Sequence, residues 1–197
     1  MNDNYIRNAL EIKKLMQINY KNIECICKQE SKRHGWGLIL IAREQLKKWI
    51  LQKKPKTLLD IGCHNRLLEK TIKQWFSKTE TLGIDIVKYS EKLSTLCDGS
   101  MLPFRNDSFD FITIIETLEH IPNYVNCMYE CYRTLKNQGI LFIQSVCCIS
   151  RHAYEGDETH YHVLHPNCLE RLGKLIGFKT LEKGMINLTF YIVMQKQ

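Results

Sequence analysis

The chain has 197 residues, of which 44% are hydrophobic and 25% are charged. These proportions exclude a disordered or fibrous chain, and the length suits one domain with a hydrophobic core better than two. The formal net charge of +7 comes from lysines that are scattered along the chain. Scattered charge is typical of a solvated surface, although lysine and arginine can also neutralise phosphates, so an RNA partner stays open.

The nine cysteines and the start of the chain bear on its environment. The number is odd, and several cysteines lie in apolar stretches, which favours free thiols in a reducing compartment. The first residues are polar, and no apolar stretch reaches the length of about 18 residues that a membrane span needs. We therefore expect a cytoplasmic protein without a membrane span.

Apolar spacing divides the chain into two parts. Up to residue 53 the apolar residues recur every three or four positions, which predicts an N-terminal extension (1–53) of two amphipathic helices separated near residues 34–37. From residue 54 to 197 short β-rich runs alternate with helical stretches, which predicts one α/β domain with a parallel sheet. Strands are predicted at 57–61, 81–86, 111–115 and 140–146, helices at 67–76, 123–135 and 167–176, and a terminal hairpin at 179–183 and 185–194 that bends near Gly184.

Two predicted strand ends carry acidic residues. Asp60 ends the first strand, and Gly62 and Cys63 follow in a tight turn. In open α/β sheets ligands bind beyond the carboxyl ends of the strands, where Gly62 would allow close approach and Asp60 could accept from an ammonium group. Asp85 ends the next strand, where a carboxylate can accept the hydroxyls of a ribose. Together they indicate an adenosine-bearing cofactor, either a nicotinamide dinucleotide or S-adenosylmethionine, although solvated strand-end carboxylates would look the same.

A third stretch distinguishes these cofactors. Residues 97–121 read CDGSMLPFRNDSFDFITIIETLEHI. They resemble the pattern G-D-A-x-x-L-P-F-x-D-x-S-F-D, followed by a strand and L-E-H, of the type 11 family of class I methyltransferases. Residues 132–139 (YRTLKNQG) are similar to that family's R-x-L-K-P-G-G turn, and residues 162–178 to its late helix and G-F segment. The chain is identified as a member of this family over about residues 55–194.

The resemblance implies a fold, a cofactor and its binding residues. The fold is Rossmann-like α/β, with a seven-stranded, mostly parallel sheet whose last strand is antiparallel. The cofactor is S-adenosylmethionine, with S-adenosylhomocysteine as the product. The residues assigned to it lie at three strand ends: Asp60 and Gly62 for the methionine part, Asp85 for the ribose, and Asp98 with the Gly99 backbone for the adenine edge. Cys63, next to Gly62, is assigned to the cofactor as well.

Two features depart from the family pattern. His64 and Arg66 replace the second and third glycines of the first turn, where a Cβ atom crowds the backbone and hinders positive φ angles. In addition, the short connection between Asp85 and Asp98 predicts a crossover helix that is short or missing. The short crossover would leave the adenine side more open, while His64 and Arg66 keep open a second hypothesis, a degenerate methyltransferase-like scaffold without turnover.

The motif Glu116-x-x-Glu119-His120 has two interpretations. In most type 11 relatives it is structural and the histidine reaches toward the acceptor, so His120 is our candidate catalytic residue. The motif also resembles the metal-binding segment of small-RNA 3′-terminal 2′-O-methyltransferases and of ubiquinone-pathway O-methyltransferases, with His160 or His162 as a further ligand. We favour the metal-free interpretation with a small-molecule acceptor, while a divalent metal and an RNA acceptor remain the alternative. The sequence assigns neither the acceptor nor an oligomeric state.

Overall fold

The computed structural model describes residue 29 and residues 39–89, 95–155 and 157–197. The fold lies within the compact unit Gly37–Gln197. The first predicted N-terminal helix, apart from residue 29, and the break near residues 34–37 lie outside the described residues. The strands are β1 (Thr57–Ile61), β2 (Glu80–Asp85), β3 (Thr95–Leu96), β4 (Phe109–Ile115), β5 (Leu135–Val146), β6 (Phe178–Ile186) and β7 (Thr189–Lys196). The helices are α1 (Arg43–Lys53), α2 (Leu67–Trp75), α3 (Tyr124–Thr134) and α4 (Pro166–Ile176).

The strands form one sheet with the order β3-β2-β1-β4-β5-β7-β6. β7 is antiparallel to β5 and β6, and the other strands run parallel. This arrangement confirms the predicted fold class. The strand order reverses at β1, which pairs with β2 on one side and β4 on the other. In open α/β sheets the ligand-binding crevice lies at such a reversal, beyond the carboxyl ends of the strands.

Alternating apolar side chains bury both faces of the sheet. On one face α1 and α2 cover the sheet through Leu46, Ile50, Leu68 and Ile72, which pack with Leu58, Phe111 and Phe142. On the other face α3 and α4 contribute Met128 and Leu169, which pack with Leu59, Ile112 and Leu141. Successive strand residues point to opposite faces, so a nearly continuous apolar run can fill both cores.

The hairpin at the end of the chain is confirmed, but its predicted bend is wrong. Gly184 lies inside β6 opposite Tyr191, and a Cβ atom there would lie 2.7 Å from the Tyr191 ring. Glycine at this position therefore makes room for a tyrosine rather than for a turn. The turn falls between Ile186 and Thr189, where Asn187 takes a φ of 56°, an angle that asparagine tolerates.

Two other predictions concern connections. β5 begins at Leu135, earlier than predicted, but its pairing with β4 is interrupted between Leu135 and Ile140, where Gln138 has a φ of 63°, so the predicted turn lies inside the strand as an irregularity. Between β2 and β3, residues 90–94 lie outside the described residues, and so does the predicted short or missing helix. Within the described ranges no helix is long and apolar enough to cross a membrane.

Candidate active site

Asp60 lies near the carboxyl end of β1 in a buried position, with 4% of its surface exposed. Its carboxyl accepts a hydrogen bond from Thr113 Oγ1 at 2.8 Å, across the pairing of β1 with β4. Burial raises the pKa of Asp60 to about 7; the Thr113 bond lowers it, the charge of Asp85 raises it, and Arg66 opposes the rise. The carboxyl can therefore gain or lose a proton near neutral pH, and a cation placed beside it would favour ionisation.

The turn after β1 depends on glycine at residue 62. Gly62 has a φ of 77°, and a Cβ atom there would overlap the side chain of Thr117. The amides of Gly62 and Cys63 both donate to the Ile84 carbonyl, at 2.9 and 3.0 Å. Burial raises the pKa of the Cys63 thiol above its usual range, and this thiol packs against Gly83 of β2. Cys63 therefore presents its backbone to the turn, while its side chain fills the core.

The two residues that replace family glycines nevertheless have positive φ angles. His64 has a φ of 45° and Arg66 a φ of 61°, so the turn keeps the left-handed geometry that glycine would give. The ring of His64 packs on Tyr89 with centroids 4.2 Å apart, and Arg66 forms an ion pair with Glu69 at 2.6 Å. These contacts offset the cost of about 1–2 kcal/mol that the left-handed region imposes on a residue with a Cβ atom.

Asp85 ends β2 and binds the same turn. One carboxylate oxygen accepts the amide of His64 at 2.9 Å, and the other accepts the amide of Val87 at 3.0 Å. Burial raises the pKa of Asp85, and the two amides oppose the rise. Each carboxylate oxygen has two lone pairs, so Asp85 can accept further hydrogen bonds from a bound molecule while it holds the turn.

The third strand end packs closely on the first. After β3, the Asp98 carboxylate accepts from the amide and the hydroxyl of Ser100, both at 2.8 Å. Gly99 is buried, and a Cβ atom there would lie 2.8 Å from Ile61 Cγ2 and 3.1 Å from Ile121. Glycine therefore lets this loop lie against the end of β1, beside the turn that carries Gly62.

His120 follows β4 at the end of a short 3-10 turn, Leu118–His120. Its Nδ1 lies 3.1 Å from the Thr159 carbonyl oxygen and 2.7 Å from Thr159 Oγ1. The Thr159 hydroxyl already donates its hydrogen to Asp157, at 2.5 Å. His120 Nδ1 must therefore carry the proton and donate to Thr159, which puts the lone pair of the neutral ring on Nε2.

The surroundings of His120 keep it neutral. Burial, followed by the charge of the neighbouring His160 ring at a centroid distance of 4.7 Å, lowers the pKa of His120 to about 4. Asp157 acts in the opposite direction but does not compensate. At neutral pH this imidazole is an uncharged acceptor, which is also the form that binds metal ions.

Glu119 is the least satisfied polar group near His120. The residue is 1% exposed, and neither of its carboxyl oxygens has a hydrogen-bond partner of acceptable geometry among the described residues. Burial, followed by the nearby Glu116, raises the pKa of Glu119 well above its usual range. Candidate ligand atoms of Glu119, His120 and His160 all lie within 4.8 Å of one another.

Glu116 and His162, the two remaining residues of the metal hypothesis, have hydrogen-bond partners outside this group. Glu116 accepts from Gln144 Nε2 at 2.7 Å and from the Val146 amide at 3.1 Å, so both of its oxygens are used to hold β5. His162 Nε2 lies 3.0 Å from the Pro122 carbonyl oxygen. Of the two histidines considered as a further ligand, the structure thus brings His160 to the site.

Comparisons with known proteins identify the family. A family model described as a methyltransferase domain matches residues 39–183. The chain belongs to the class I methyltransferases. An uncharacterized protein of Methanocaldococcus jannaschii is 30% identical over 93 residues, 46% of this chain and 41% of that protein. A ubiquinone biosynthesis O-methyltransferase of Pseudomonas paraeruginosa is 27% identical over 105 residues, 46% of this chain and 44% of that protein. The matched region thus spans less than half the length of either relative.

A solved structure agrees with the fold of this methyltransferase. A chain in the complex between the Haloferax volcanii Trm112 methyltransferase activator and a methyltransferase superposes with a TM-score of 0.70 at 14% identity, over 85% of this chain and 92% of that chain. At this identity the likeness shows the fold alone.

Some residues that shape the methyltransferase site were not anticipated from the sequence. Thr113 holds Asp60, and Thr159 with Asp157 orients His120. The role of Thr113 could have been suspected from the sequence, because it is the polar residue inside the apolar strand FITII. Thr159 lies 39 residues after His120 in an irregular segment, and no local pattern connects the two.

Proposed function

We propose that this methyltransferase binds S-adenosylmethionine and transfers its methyl group to a small-molecule acceptor. The observation that supports this most strongly is the meeting of three strand ends at the reversal of the sheet. There the turn at Gly62 donates to the Ile84 carbonyl, the His64 amide of the same turn donates to Asp85, and the loop at Gly99 packs on Ile61, the residue after Asp60. This is the location where open α/β folds bind nucleotide cofactors.

The residues at these strand ends fit the cofactor. Gly62 offers a turn without a side chain, at a φ that favours glycine. Asp60, with its raised pKa, is an acceptor for the ammonium group of the methionine part. The free lone pairs of Asp85 suit the ribose hydroxyls, while Asp98 and the Gly99 backbone suit the adenine edge. Bound S-adenosylmethionine supplies a methyl group on a positively charged sulfur, so the protein needs no covalent nucleophile and mainly has to position the acceptor.

His120 is our candidate catalytic residue on the acceptor side. Its Nε2 bears the lone pair, because Nδ1 donates to Thr159. With a pKa of about 4, however, it is a weak base at neutral pH, where a general base works best with a pKa near the working pH. His120 therefore suits acceptor positioning, or ligation of a metal ion, better than proton removal from an alcohol.

A second candidate function is metal-assisted O-methylation of an acceptor with adjacent hydroxyls. The buried carboxyl of Glu119, whose described side-chain neighbours Glu116 and Ser145 give it no well-formed hydrogen bond, favours it, together with the convergence of Glu119, His120 and His160. A divalent ion bound there would polarise acceptor hydroxyls. The three residues would hold the ion, and Glu116 would support them through its bonds to β5. The name of the ubiquinone relatives is consistent with a hydroxyl acceptor, and a 3′-terminal ribose of RNA carries the same pair of hydroxyls.

Calorimetry with S-adenosylhomocysteine tests the cofactor proposal. We expect binding that persists after treatment with EDTA, because no residue of the metal cluster is assigned to the cofactor. NADH is the control and should not bind. Absence of S-adenosylhomocysteine binding at about millimolar concentration would instead support the degenerate scaffold.

A methyl-transfer assay with a catechol acceptor tests the metal. If the metal takes part, EDTA abolishes turnover and Mg²⁺ or Mn²⁺ restores it, and Glu119→Gln and His160→Gln lose the metal response. His162→Gln is the matched control, because His162 faces Pro122 instead. Turnover that is unchanged by EDTA would leave the metal-free interpretation.

A further inference from the structure

A second group of metal-ligand side chains lies between β5 and α4. Cys147 and Cys148 directly follow β5, and His165 is the N-cap of α4. The two Sγ atoms and an imidazole nitrogen of His165 all lie within 4.8 Å of one another. The backbone maintains this proximity, because the Cys148 amide donates to the Leu164 carbonyl at 2.9 Å. This cysteine–histidine cluster takes no part in the proposed cofactor site.

The first turn of α4 carries a further thiol, Cys168, which lies outside this 4.8 Å group but follows His165 by three residues, on the same side of the turn. Cys168 is exposed, and its amide donates to the His165 carbonyl. The Sγ atoms of Cys147 and Cys148 lie within 4.8 Å of each other. Thiols this close repel one another once they ionise, and a cation between them would remove that penalty.

We propose that Cys147, Cys148, His165 and Cys168 bind a thiophilic divalent ion, with zinc as the ion whose preferred donor set they match. Structural zinc sites are tetrahedral and use three cysteines and one histidine among their common donor sets. With Zn–S bonds of about 2.3 Å, tetrahedral donors lie about 3.8 Å apart. For Cys147, Cys148 and His165, separations of up to 4.8 Å then require side-chain movements of about 1 Å, and the exposed Cys168 thiol has to rotate into the group. On binding, the thiol protons pass to solvent, and no oxidation takes place.

Ligation by His165 replaces one hydrogen bond. Its Nδ1 accepts from the Asn167 amide at 3.1 Å, and a neutral imidazole has one acceptor nitrogen. The ion therefore takes the place of this helix cap. Structural zinc binds tightly enough to drive the folding of small domains, whereas a helix cap is a single hydrogen bond, so the exchange favours the metal.

The site would act on the segment that holds His120. Cys147 and Cys148 begin the connection from β5 to α4, and His165 ends it. Within this connection Thr159 bonds to His120, and His160 lies beside it. A cross-link that closes a loop of this length stabilises a fold because it restricts the unfolded chain. The ion would thus fix the acceptor-side loop from its base, whether or not the proposed methyl transfer is correct.

Cobalt substitution tests the site directly. The full chain, reduced with a thiol-free reductant, is titrated with Co²⁺ and followed by the thiolate-to-cobalt charge-transfer band and the visible bands of a tetrahedral ion. We expect one equivalent with thiolate ligation, displaced by Zn²⁺. The double variant Cys148→Ser, Cys168→Ser should lose the charge-transfer band or weaken binding at least about ten-fold. Cys97→Ser, a cysteine outside the cluster, is the matched control and should keep the band.

Other outcomes separate the alternatives. Glu119→Gln should keep the charge-transfer band, because a carboxylate–imidazole site contributes none. If the double variant does not fold, alkylation of Cys148 and Cys168 in the wild-type protein, read by mass spectrometry, should be suppressed by Zn²⁺. Absence of the band in the wild type, an equal band in a folded double variant, or alkylation unaffected by Zn²⁺ would overturn the site. So would a disulfide among these cysteines that persists under reductant.

Discussion

Cofactor binding at the end of β1 is expected to require proton loss from Asp60. Burial raises the pKa of this carboxyl to about 7, and in our proposal the ionised form accepts from the ammonium group of the cofactor. Binding then competes with protonation. The affinity for S-adenosylhomocysteine should be half its maximum near that pH and fall about ten-fold for each pH unit below it, which is about 1.4 kcal/mol per unit.

Isothermal titration calorimetry across this range, with Asp60→Asn as the variant, measures the effect. Asparagine keeps an acceptor oxygen for the Thr113 hydroxyl but cannot ionise, so binding should be weak and independent of pH. His64→Gln is the control variant in the same turn and should keep the pH dependence of the wild type. A wild-type affinity that stays constant as the pH falls below 7 would refute the reasoning.

The same carboxyl sets the pH dependence of stability in the cofactor-free protein. The folded state holds a proton that the unfolded chain, in which an aspartate has its ordinary pKa of 3.8, releases more easily. The stabilising contribution is therefore fully present below the unfolded pKa and is lost as the pH rises to about 7. The difference of about three pKa units corresponds to about 4 kcal/mol. Asp60→Asn should thus exceed the wild type in urea-unfolding free energy at alkaline pH by up to this amount, and equal stability would contradict the raised pKa.

Three further variants extend the test. Gly62→Ala should lower the unfolding free energy in urea by at least about 1 kcal/mol, because it strains a positive φ and displaces Thr117; unchanged stability would contradict this packing. Asp85→Asn should weaken S-adenosylhomocysteine binding about ten-fold or more in calorimetry, since a charge-assisted acceptor contributes about 1.5–3 kcal/mol, and full affinity in a folded variant would contradict the ribose contact. In EDTA, the wild type should lose thermal stability as the pH rises above the usual glutamate range, because the raised pKa of Glu119 penalises its ionised form. Glu119→Gln should not show this loss, and identical melting profiles of the two proteins would count against the prediction.

The order of the elements and the family were readable from local patterns. The alternation of β-rich runs with helical stretches predicted the sheet, and the motif in residues 97–121 predicted the family that the comparisons show. The predicted ends of strands were less accurate where glycine can serve either a turn or a close contact inside a strand. Gly184 suggested a bend, yet it lies inside β6 because Tyr191 needs the space. A sequence shows that a side chain is missing but not which neighbour occupies its place.

For the candidate site, too, some features were predictable from the sequence and others depended on the tertiary structure. The positions of Asp60, Gly62 and Asp85 at strand ends follow from local sequence, because parallel strands of one sheet end at a common edge. The orientation of His120 by Thr159 and Asp157, the absence of a described partner for Glu119 and the meeting of Cys147 and Cys148 with His165 depend on the path of the chain between β5 and α4. That path is decided by long-range packing and hydrogen bonds between distant residues, so only the tertiary structure brings these side chains together.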